Sequence, residues 1–167
     1  MYAKTITALI IGTGLFYCAI SPALEANPDA CKRLSVEQVG AALGVAVGAG
    51  QHPPSLAGGS GNLRICQWHE AGKSGFEGKM VQIDIMGQMG SMSPVDRFNN
   101  AKQPVPRINK TPVEGVGDDA YYIENPAFTS INVRRGTSAF ELHVRGVPAP
   151  QLKPMLKTLA QQAAAKL

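Results

Sequence analysis

Little in this sequence carries charge or an aromatic ring: charged residues make up 17% of it and aromatic ones 6%, with a single Trp. The 16 Lys and Arg against 12 Asp and Glu leave a formal net charge of +4. These basic residues are scattered rather than clustered, and few aromatics lie between them, which argues against a nucleic-acid partner. Metal-binding pairs such as Cys-x-x-Cys or His-x-x-x-His are missing, so a zinc site has no local spacing to announce it. Neither Gly-x-Ser-x-Gly nor Ser-x-x-Lys occurs, and Gly59-Ser60-Gly61 has no strand before it and no helix after it. Two glycine pairs fail as phosphate fingerprints. Gly12-Thr13-Gly14 falls in the apolar N-terminus, and Gly48-Ala49-Gly50 runs into Gln51-His52-Pro53 rather than a helix. No internal repeat and no second domain is visible.

What is present begins with an N-terminal segment ordered as a secretory signal. Lys4 precedes an apolar run over 6–20, and the polar, helix-breaking residues 21–25 follow it. The run is about 15 residues long, shorter than the roughly 20 that span a bilayer, and Pro22 stops it. The expected organisation is a signal peptide over 1–26, cleaved after Ala26, and one globular domain over 27–167 that begins at Asn27. Lipidation at Cys18 is not expected, because Leu15-Phe16-Tyr17 puts bulky residues where lipoprotein processing wants small ones. The expected location is therefore the periplasm or the medium, with weak or no membrane association.

Without the signal segment two cysteines remain, Cys31 and Cys66. An even count in an oxidising compartment reads as one disulfide. Closing a loop of about 36 residues is worth about 4 kcal/mol in the chain-entropy picture, a large share of the ~5 to 15 kcal/mol that holds a domain.

Along the domain, Ser35 and Gln38 form a capping-box pattern that opens a helix whose apolar face is Val36, Val39 and Leu43, ended by Gly44. Residues 45–62, rich in Gly, Pro, Ala and Ser, predict an exposed, mobile loop. A strand over 63–69 places Arg64, Cys66 and Trp68 on one side, with Trp68 buried beside the disulfide. A second strand over 79–87 points Val81, Ile83 and Ile85 inward. Ser93-Pro94-Val95-Asp96 starts a second helix, running to Lys102 with Val95, Phe98 and Ala101 inside. Residues 103–112, with three prolines, predict a crossing loop. Strands follow over 120–124, 128–135 and 138–146, the last two joined by Gly136-Thr137 as a type II′ hairpin turn. A closing helix carries Leu152, Met155, Leu156, Leu159, Ala163 and Leu167 at the helical period, with Pro154 in its first turn. The expected fold is α+β: a single antiparallel sheet of about five strands, three helices packed on it and one core. In that register the hairpin's outer face shows Asn132 opposite Glu141 and Ser130 opposite His143, together with Arg134 and Arg145, as a polar face in solvent.

Chemistry-bearing residues are few. His52 lies in a loop, His69 at a strand end, and His143 two residues from Glu141 on the outer face; that pair reads as solvated surface. Gly115, Gly117 and Asp118 read as structural, the glycines turning the backbone tightly into the next strand and Asp118 capping that turn. Asp118 and Asp119 together do not make a calcium site, which needs five or more oxygens. No catalytic residue, cofactor site or metal site is assigned.

Cys31, the helix over 34–43, Cys66-Gln67-Trp68, the turn over 115–120, and the hairpin and helix over 128–167 together resemble a loose class of small exported bacterial envelope proteins. Many of that class are lipoproteins of uncharacterised function, and this chain departs from them in lacking a good lipidation box. The resemblance implies the disulfide and the fold and brings no catalytic residue. The expected function is an exported, non-catalytic binding or interaction module whose partner is an envelope protein or a small ligand. The alternatives are a small envelope hydrolase with a non-local active site, and a structural component of the envelope.

Overall fold

The computed structural model of the chain describes residues 29–54, 64–73, 77–125 and 128–167, so the expected signal segment lies outside the described residues. The fold is α+β, and its sheet has six strands rather than five, all antiparallel. In chain order the elements are α1 (Val36–Leu43), β1 (Ile65–His69), β2 (Met80–Ile85), α2 (Pro94–Lys102), β3 (Asn109–Pro112), β4 (Asp119–Glu124), β5 (Thr129–Arg135), β6 (Ser138–Arg145) and α3 (Ala149–Ala164), after a single 3-10 turn at Ala30–Lys32. Across the sheet the order is β1-β2-β6-β5-β4-β3. Among the described residues no helix is long and apolar enough to cross a membrane.

Both expected caps form. Ser35 Oγ accepts from Gln38 N at 3.2 Å while Gln38 Oε1 accepts from Ser35 N at 2.9 Å, and Gly44 closes α1 at φ 66°. Ser93 and Asp96 make the same reciprocal pair at the start of α2. The β5–β6 register is the expected one, Val133 opposite Phe140 and Ile131 opposite Leu142. All four side chains are fully buried, and Gly136, at φ 57°, supplies the positive φ that the two-residue turn needs.

Four further expectations about the fold need correction. The proline-rich segment is not all loop, since 109–112 forms β3 on β4. An edge strand has a ladder on one side only, and Pro112, its last residue, costs no bond there. Helix α3 begins three residues before Leu152, which puts Pro154 in the second turn; packing of Leu156, Leu159, Ala160 and Ala163 on the sheet outweighs the lost backbone bond. The first part of the loop over 45–54 is laid along β1, through bridges from Val47 to Glu70 and from Gln51 to Gln67. At Gly50 a Cβ would lie 2.7 Å from Cys66 Sγ and 2.8 Å from the Trp68 ring, so the backbone itself covers the disulfide. The rest of that loop lies outside the described residues.

The fourth correction concerns the second face of the sheet. Helices α1 and α3 close the main core on one face, around Val39, Leu43, Trp68, Ile83, Phe140 and Leu156. Helix α2 packs on the other face, where Phe98 meets the Tyr121 ring at 5.1 Å between centroids and Ala139 beneath it. The outer face of the hairpin is therefore not solvated throughout: Ser130 is 0% exposed and Asn132 1%.

Candidate functional site

Strand pairing lines up Asp84 on β2, Glu141 on β6, Asn132 on β5 and Tyr121 on β4 in one row across this second face. The neighbouring row runs Gln67, Gln82, His143 and Ser130. Glu141 is the hub. Its Oε1 accepts from Ser130 Oγ at 2.7 Å and from Asn132 Nδ2 at 3.4 Å, and His143 Nε2 lies 3.4 Å from the same oxygen. Burial works against its charge, yet the hydrogen bonds from His143, Ser130 and Asn132 and the pairing with His143 hold its carboxyl below the ordinary value. Asp84 goes the other way. Burial pushes its carboxyl up and the facing Glu141 adds to that, while Arg97 and Arg64 offset part of it. Both arginines converge on Gly87. The Arg64 guanidinium occupies the place a Cβ would take, and Arg97 Nη1 donates to the Gly87 carbonyl at 2.8 Å.

Polar side chains buried on a sheet cost about 1–3 kcal/mol each unless bonded, so a face kept for packing alone is apolar. Here Gln82 and His143, of the second row, open onto a groove of about 420 Å³ at the end of the sheet, where β5 begins and β6 ends. Gln82, His143, Phe128, Met80 and Leu152 line it. Phe128 is 45% exposed, a large ring left in water, and its centroid is 5.9 Å from that of His143. The groove thus pairs an apolar wall with an imidazole held from behind by a carboxylate. The Glu141 and His143 pair and its cross-strand partners Asn132 and Ser130 were legible from the strand alternation; that Ser130 and Asn132 are buried was not.

The other sequence-derived residues sit as follows. Cys31 and Cys66 are bonded, with Cα atoms 5.0 Å apart. Trp68 is 1% exposed on the same strand face as Cys66. Gly115 and Gly117 both take positive φ, 75° and 58°, and a Cβ at Gly117 would lie 2.5 Å from the Arg134 carbonyl oxygen. Asp118 does not cap its own turn: its Oδ2 accepts from Gly136 N at 2.7 Å and so caps the β5–β6 hairpin turn. Asp118 also faces Arg134 at 3.4 Å while Asp119 pairs with Lys102 at 2.7 Å, so the two neighbouring carboxylates serve different cations. His69 ends β1, half-buried. His52 is brought to Asp29 and to the disulfide, a meeting of three chain segments that no spacing announced. No protein-family model matches the chain, and no curated protein or solved structure does either.

Proposed function

We propose that this chain is an exported, non-catalytic binding module that takes a small amphipathic ligand in the groove at the end of the sheet. The observation that carries the reading is the exposed Phe128 ring beside His143, in a concavity of about 420 Å³, a volume within the usual range for small-molecule sites. An apolar portion of the ligand lies against Phe128 and Leu152, and its polar groups meet Gln82 and His143. The disulfide fits an oxidising compartment, which supports the export that the N-terminal segment suggests. Ser130 supports binding over acyl transfer, because its buried hydroxyl donates to Glu141 and not to an imidazole.

A small envelope hydrolase is the second reading. It is favoured by the Asp84 and Glu141 pair, whose environments push one carboxyl up and the other down, as an acid and a base on one face require. One experiment separates the two. The protein recovered from an exporting host is incubated with a small-molecule extract of the envelope, and retained compounds are identified by native mass spectrometry alongside assays on ester and peptidoglycan substrates. Binding predicts a chain beginning at Asn27 that retains a compound unchanged, with retention lost in Phe128→Ala and His143→Ala. Turnover abolished by Glu141→Gln would replace the binding reading with the hydrolytic one.

A further inference from the structure

The groove at the end of the sheet is not electrically neutral. Beyond the row of Gln67, Gln82, His143 and Ser130, the last row of the second face pairs Met80 of β2 with Arg145 of β6. Side chains two residues apart on a strand share a face, so Arg145 stands beside His143 and Met80 beside Gln82. All four residues line the groove, and the Phe128 ring lies against His143. Arg145 is half-buried and its Nε is shut off from water, which anchors the root of the guanidinium among these side chains. Among the described residues that line the groove Arg145 carries the one permanent charge, and none is an Asp or Glu. Glu141 does not line it, and its Oε1 is taken up by Ser130, Asn132 and His143. Apolar wall is supplied by Phe128, 45% exposed, with Val147 and Leu152.

We propose that the ligand of this groove is an amphipathic monoanion, a fatty carboxylate, with its head group on Arg145 and its chain along Phe128, Val147 and Leu152. This rests on the groove being a binding site and adds the sign and shape of what fills it. A cationic head would meet the guanidinium with no carboxylate in the lining to offset it, and a neutral head would leave that charge unused. A single guanidinium balances a single negative charge, which favours a carboxylate over a phosphate monoester carrying nearly two. The planar carboxylate also matches the guanidinium fork, two N–H donors meeting two oxygens. Arg145 has contacts of its own, and five N–H donors let a guanidinium keep such contacts while it takes on a carboxylate. Apolar side chains beside the charge limit screening by water, so the pair is stronger here than on an open surface. The chain's formal net charge of +4 adds a general attraction for anions.

Three amphiphiles with the same decyl-length chain and different heads test this: decanoate, the neutral decanoyl-N-methylglucamide and the decyltrimethylammonium cation. Each is titrated into the full chain by calorimetry, at low salt and below its micelle concentration. Decanoate binds about fivefold more tightly than the neutral compound, and the cation binds weakest. Added salt narrows the gap between anion and neutral compound, a readout on the parent chain that needs no variant to fold. Arg145→Gln brings decanoate down to the level of the neutral compound, Arg145→Lys keeps part of the preference, and Phe128→Ala weakens all three alike. Equal affinity for the anion and the neutral compound, or tighter binding of the cation, overturns the proposal and leaves the groove a binding site for another ligand. Failure of all three to bind overturns the groove reading along with it.

Discussion

Asp84 and Glu141 face each other across β2 and β6, and their environments give them opposite effects on stability. Burial, joined by the Glu141 charge, raises the Asp84 carboxyl above its ordinary value. The folded chain therefore keeps that proton to a higher pH than the unfolded chain does. Asp84 subtracts stability as the pH rises from the ordinary carboxylate range through its raised value, and subtracts nothing below both. Glu141 resists its own burial through its hydrogen bonds and its pairing with His143, and is held low. It adds stability above the ordinary carboxylate range and loses it as the pH falls through the lowered value. Asp84→Asn is expected to raise the urea midpoint at neutral pH and to match the parent in acid, whereas Glu141→Gln lowers the midpoint at neutral pH. A lower neutral-pH midpoint for Asp84→Asn would mean that its contacts with the nearby arginines outweigh burial. Neither effect was readable from residue type, since the alternation that put both carboxylates on one face is equally the pattern of a solvated strand.

Among the elements, the β5–β6 hairpin decides which surface the protein offers. Its side chains alternate, so slipping the register by one residue would bring Val133, Phe140 and Leu142 out and bury the polar set. The two-residue turn prevents that slip, with Gly136 at positive φ and its N–H held by Asp118. Phe140 is fully buried opposite Val133 in the main core. Phe140→Ala is expected to cost about 3–5 kcal/mol, read from urea unfolding; a loss under about 1 kcal/mol would place the ring outside the core and overturn the register. This hairpin was legible because each of its signals, a glycine at the turn and a period of two on each side, lies within a few residues. Strand β3 was not. Its four residues include Pro112 and no apolar alternation, and only pairing with β4 makes them a strand.

On the scale of the whole molecule, one bond joins the 3-10 turn before α1 to the first edge strand of the sheet. Constraining a loop of this length in the unfolded chain makes Cys31→Ser/Cys66→Ser expected to cost about 2–5 kcal/mol. Trp68 reports it: the indole is buried and Gly50 brings it and the sulfurs together. Emission in the native protein is expected to be blue-shifted and to brighten when the nearby disulfide is removed. A water-like emission maximum in the folded protein would contradict the burial.

The sequence by itself determined the helix caps at Ser35 and Ser93, the hairpin register, the α+β class and the pairing of the two cysteines. Each of these rests on groups a few residues apart, on the run of strands and turns, or on the two cysteines that remain once the expected signal segment with Cys18 is set aside. The tertiary structure decided what depends on distant segments meeting. It set the strand order that puts β6 in the middle of the sheet, and it chose the face on which α2 lies. It buried Ser130 and Asn132 behind Glu141, and it carried His52 across the fold to Asp29 and the disulfide. A polar side chain on an alternating strand looks the same whether water or a helix covers it. What covers it is settled only when the whole chain packs.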